Sequence, residues 1–271
     1  MTLRWLACIL LVGNCITLQA GDNPPLGARA LGMAGAATAL SGDVWGTQNN
    51  QASLAFIEKF QAAGFYETRF LMNDLGMKAF AAGIPVKGGV FGVSVNSFGN
   101  KLYSENKAGL AYARKFGPKI SAAVQLNFHN TRIAENYGSA SIATAEVGFM
   151  AEPVKNLTLG FHLFNPTRSK LSGNLAERMP TVMKLGALCR FSDKVFLTGE
   201  AEKDADYKAT FRAGIEYRPM PSFYLRGGAA SNPGLSAFGM GIIMQNLRLD
   251  VASTFHSVLG FSPSISLQYG L

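Results

Sequence analysis

Residues 209–218, ATFRAGIEYR, decide the fold. Ala209, Phe211, Ala213, Ile215 and Tyr217 form one face of an extended chain. Thr210, Arg212, Gly214, Glu216 and Arg218 form the other. Strict alternation of apolar and polar residues is the signature of a strand with two different surroundings. The same split recurs in Leu247–His256, where Leu247, Leu249, Val251, Ser253 and Phe255 oppose Arg248, Asp250, Ala252, Thr254 and His256. It recurs at Pro263, Ile265, Leu267 and Tyr269 against Ser264, Ser266 and Gln268. Extended over residues 59–271, the pattern predicts about fourteen strands.

The connections carry a second signal. Lys87-Gly88, Phe116-Gly117-Pro118-Lys119, Glu152-Pro153-Val154-Lys155, Ser192-Asp193-Lys194, Pro219-Met220-Pro221-Ser222 and Gln245-Asn246 are short and rich in turn formers. Between them fall mostly longer links, such as Thr131–Ala140, Pro166–Met179 and Ser257–Phe261. Short turns on one side and longer ones on the other characterise a transmembrane β-barrel. An even number of strands then puts both chain ends on the short-turn, periplasmic side.

Composition agrees. Charged residues are 15% of 271 and hydrophobic residues 48%, against about 25% charged in a typical soluble domain. No apolar run of about 18 residues, the length a spanning helix needs, follows residue 20. A soluble β-sandwich would also alternate, but its outer face would carry more charge. Lys and Arg exceed Asp and Glu, for a net charge of +8, yet they are dispersed in turns and on alternate strand positions. The basic balance therefore does not indicate nucleic acid. Residues 1–20 read as a secretory signal, with Arg4, an apolar run from Leu6 to Val12, and Ala20. Cys8 and Cys15 lie within it, which leaves Cys189 without an intramolecular partner.

Residues 21–58 read differently. The stretch from Gly27 to Leu54, GARALGMAGAATALSGDVWGTQNNQASL, is packed with Gly, Ala and Ser and does not alternate. Such residues suit a chain threaded through a crowded interior, and the expectation is an N-terminal plug in the lumen. Gly27, Arg29, Gly32, Met33, Gly35, Ala36, Ala39, Asp43, Asn50, Ala52 and Leu54 resemble the plug of FadL-like outer-membrane barrels. That group comprises long-chain fatty acid transporters and the PorV and PorQ proteins of the type IX secretion system of Bacteroidota. The usual Asn-Pro-Ala is here Asn50-Gln51-Ala52, and a paired acid is here Gly42-Asp43. Arg190–Lys194, Phe211–Tyr217 and Phe223–Gly228 resemble the small Bacteroidota members.

No catalytic set stands out. His129, His162 and His256 fit no metal spacing, and Gly92-Val93-Ser94-Val95-Asn96 lacks the final glycine of a nucleophile elbow. No cofactor is implied. The informative residues are charges on the inward phase: Glu67, Arg69, Lys184, Arg190, Glu200, Glu202, Arg212, Glu216, Arg218, Arg226, Arg248 and Asp250. An Arg or Lys facing lipid at mid-bilayer costs about 2–4 kcal/mol, so these are expected to pair inside. Alternatively, Arg212, Arg226 and Arg248 could hold a carboxylate or phosphate. Phe60, Tyr66, Phe70, Phe191, Tyr217, Phe223, Phe255 and Tyr269 fall near strand ends on the apolar phase, as interfacial girdles do.

Two functions follow from the resemblance. The first is a non-enzymatic accessory subunit of an outer-membrane export or assembly machine, with protein partners and membrane lipid around it. The second is a passive transporter of hydrophobic small molecules, with a lateral gap beside Pro85 or Pro263.

Overall fold

The computed structural model describes residues 23–134, 138–169, 179–205 and 207–270. The expected signal at 1–20 lies outside them. Among the described residues are fourteen strands: β1 Gln61–Thr68, β2 Gly76–Val86, β3 Gly89–Gly99, β4 Tyr103–Lys115, β5 Ile120–Ile133, β6 Gly138–Val154, β7 Leu157–Phe164, β8 Val182–Ser192, β9 Val195–Asp204, β10 Thr210–Met220, β11 Phe223–Ala230, β12 Leu235–Met244, β13 Leu247–His256 and β14 Gly260–Tyr269. Each pairs antiparallel with its chain neighbours, and β1 pairs with β14, with Phe65 opposite Ser266, to close the barrel. Closure leaves no sheet edge unpaired.

The period of two sorts the wall as expected. Phe211, Ile215 and Tyr217 are exposed, while Thr210, Gly214 and Glu216 are buried. Likewise Ile265, Leu267 and Tyr269 face outward and Ser264, Ser266 and Gln268 are buried. The outer face thus presents large apolar side chains, among them Leu126 at 69% exposure and Leu110 at 55%. The inner face is small or polar.

Two expectations are corrected. The Thr131–Ala140 link is much shorter than expected, because β5 runs to Ile133 and β6 begins at Gly138. Past Asn130 and Ser141, Thr131 pairs with Ala140, Arg132 with Ser139 and Ile133 with Gly138, so the ladder continues where sequence suggested a loop. Phe70 is not on the lipid-facing phase. The strand stops at Thr68, Phe70 takes φ 54°, and its ring meets His256 edge-on at 6.1 Å.

Residues 23–57 are buried almost throughout against the inner face. They form two single turns, α1 Ala28–Leu31 and α2 Gly46–Asn49, and a 3-10 helix, Gln51–Phe56. Such short helices are not stable alone, and their packing against the barrel holds them. Trp45 meets Phe65 of β1 edge-on at 5.7 Å. Contact is closest where the wall lacks a side chain. A Cβ on Gly160 would stand 2.2 Å from the Thr38 carbonyl oxygen, and one on Gly228 would stand 2.4 Å from the Met33 carbonyl carbon.

Candidate functional site

Three polar groups tie the N-terminal segment to the wall. The first is a ring of six charges. Arg29, on α1, donates from Nε and Nη2 to the two carboxylate oxygens of Glu216, each at 2.8 Å. Glu216 also accepts from Arg226 Nε at 2.6 Å, and these two residues face one another across β10 and β11. Arg226 Nη1 reaches Asp250 at 2.7 Å, and Asp250 accepts from Arg248 Nε at 2.8 Å. Asp43 closes the ring, 3.4 Å from Arg29 and 3.9 Å from Arg248. Three arginines thus alternate with three carboxylates, and each charge out of bulk water has an opposite neighbour.

The second group is built on Glu200. One oxygen accepts the backbone N–H groups of Ala37 and Thr38 at 3.1 and 3.0 Å. The other lies 3.1 Å from Arg212, which also holds Glu202 at 2.8 Å. Lys184 is 3.2 Å from Glu202. Arg212, Arg226 and Arg248 are therefore all occupied by carboxylates.

The third group was missed at the sequence level. Glu146, fully buried, accepts from Lys107 at 2.7 Å, Asn127 at 2.8 Å and Gln51 at 2.5 Å, and bonds His162 Nε2 at 2.7 Å. Period two gives the signal that could have found it. Glu146 shares a face with Ile142, Thr144 and Gly148, and Lys107 shares one with Gly109, Ala111 and Ala113. Gln51, standing where the resemblance expects proline, supplies an amide that reaches this carboxylate.

The other segment residues are placed by backbone need. Gly27, at φ 95°, precedes α1, and Gly32 follows it against Gly239. Met33 is fully buried against Gly214 and Gly228, and Gly35 takes φ 83° beside Pro25. Asn50 caps the 3-10 helix by accepting Ala52 N–H at 3.2 Å and donates to the Thr38 carbonyl at 2.7 Å.

Above the segment, at the end with the longer connections, is a cavity of about 210 Å³. Pro24, Pro25, Leu31 and Ala34 contribute its segment side, and Ala230, Leu235 and Phe70 its wall. Arg69, Arg212 and His256 add polar atoms. No group of three or more metal-ligating side chains occurs among the described residues. Pro85 pairs with Val90 of β3 and Pro263 with Ser253 of β13, while the pairing of β1 reaches only Gly83 of β2 and Ser264 of β14.

The fold has close counterparts among solved structures. The Ralstonia pickettii toluene transporter TbuX matches with a TM-score of 0.72 at 12% identity, covering 93% of this chain and 100% of that one. The Pseudomonas putida toluene transporter TodX matches at 0.68 and 11%, covering 93% and 98%. A Pseudomonas aeruginosa FadL homologue matches at 0.66 and 14%, covering 91% and 98%. No family model matches the chain, and no curated protein does.

Proposed function

We propose that this chain is an outer-membrane barrel that passes small hydrophobic molecules without catalysis. The observation that carries the reading is the mouth cavity. An apolar cavity of about 150 Å³ suffices to bind benzene, and the 210 Å³ here has a largely apolar lining. The exposed apolar belt of a closed sheet supports a membrane setting, because hydrocarbon tolerates a sheet only when no edge is open. The similarity to barrels described as toluene transporters supports a hydrocarbon cargo.

In this reading residues 21–58 are the plug of a barrel over residues 59–271. The ring through Arg29 and Asp43 holds the plug, with both termini periplasmic. Glu200, Glu202, Arg212, Glu216, Arg226, Arg248 and Asp250 serve structure, not cargo. The accessory-subunit reading is less well supported, since the matched barrels named by function are transporters.

Uptake of toluene into liposomes containing the purified protein tests the proposal. The expected result is uptake above protein-free liposomes, lost when Ala230→Trp fills the cavity. Equal uptake with and without protein would overturn it.

A further inference from the structure

A second cavity, about 470 Å³, is on the outer wall across β2 to β5. Strand register arranges its lining in two rows. Lys78 stands opposite Ser97, Ser97 opposite Asn106, and Asn106 opposite Asn130. Two residues deeper, Phe80 stands opposite Val95, Val95 opposite Ala108, and Ala108 opposite Phe128. A polar row thus lies directly above an apolar one on the outer face. The small Ala108 sinks the floor between Val95 and Phe128. Beyond the polar row Arg132 is exposed on the same face, and among the described residues no carboxylate pairs with Lys78 or Arg132.

We infer that this groove holds one acyl chain of a phosphorylated lipid from the surrounding leaflet, one of its phosphates on Lys78 and another on Arg132. The two cations supply charge complementarity, and each attracts an anionic head group at the surface. The side-chain amides of Asn106 and Asn130 can donate to phosphate or sugar oxygens. Phe80, Val95 and Phe128 offer the chain a trough of its own chemistry. On the long-connection side of an outer membrane, the lipid that fits is lipid A, a phosphorylated, many-chained glycolipid. The inference rests on the barrel's being embedded in that membrane with its longer connections outward, but not on its transporting anything.

Native mass spectrometry of the whole protein in detergent, titrated with lipid A or phosphatidylcholine, tests it. The expected result is a single bound lipid A at concentrations where phosphatidylcholine does not bind. Lys78→Glu with Arg132→Glu should weaken it at least about tenfold. Ala108→Phe, which fills the trough from outside and leaves the interior untouched, should remove it. Heat-dependent mobility on gels confirms that each variant is folded. Equal binding of the two lipids, or lipid A binding unchanged in both variants, would overturn the inference. Toluene uptake measured alongside separates this from the transport reading, since either can fail without the other.

Discussion

Arg29 and Glu216 meet through two parallel hydrogen bonds of 2.8 Å, although 187 residues separate them in the chain. Only a guanidinium offers two N–H groups at the spacing of carboxylate oxygens. Arg29→Lys should therefore fail to restore what Arg29→Ala loses. Removing one partner of a buried pair costs about 3–5 kcal/mol, and the partial exposure of Arg29 puts the loss at the lower end. Unfolding in urea, followed by gel mobility, checks both variants.

Glu146 is the only carboxylate within ion-pair distance of Lys107 among the described residues. Glu146→Gln leaves the buried ammonium without an opposite charge. The expected loss is about 3 kcal/mol or more. Lys107→Met combined with Glu146→Gln removes both charges and should recover much of it. A double variant no more stable than Glu146→Gln alone would refute the coupling.

Asn50 joins three parts of the structure. Its side chain accepts Ala52 N–H and donates to Thr38 and Phe149 carbonyls at 2.7 and 3.3 Å. Asn50→Ala leaves buried carbonyls short of a donor, at a cost of about 1–3 kcal/mol. Faster protease cleavage within residues 23–57, with the barrel intact, is the expected readout.

The proposed orientation has a direct check. In a Cys189→Ser background, a cysteine at Gly234 lies on the long-connection end and one at Lys194 in a short turn. A membrane-impermeant maleimide on intact cells should label the first and not the second. The reverse pattern would invert the barrel.

Much of the wall was legible in the sequence because period two needs no knowledge of distant residues. Thr210, Glu216, Arg248 and Asp250 all fall on the buried phase that alternation assigned. Strand ends were less legible. The extension of β5 and β6 past Asn130 and Ser141 pairs Thr131 with Ala140 and Arg132 with Ser139, small and polar residues that look like loop chemistry in one dimension. Phe70 fell outside the wall because β1 ends two residues before it, at Thr68. Pairing partners were illegible, since Arg29 and Glu216 are joined only by the closed topology. The mouth cavity draws on residues from Pro24 to Ser262 and leaves no local pattern.

The missing Cβ atoms at Gly160 and Gly228 have a consequence for reading relatives of this chain. An alanine at either position has nowhere to go unless the main chain near Thr38 or Met33 retreats. Changes at these wall positions should therefore arrive in company with changes dozens of residues upstream. Two such columns varying together in an alignment would report the depth at which the inner thread sits. Relatives carrying bulk at both would have a wider bore or a different thread.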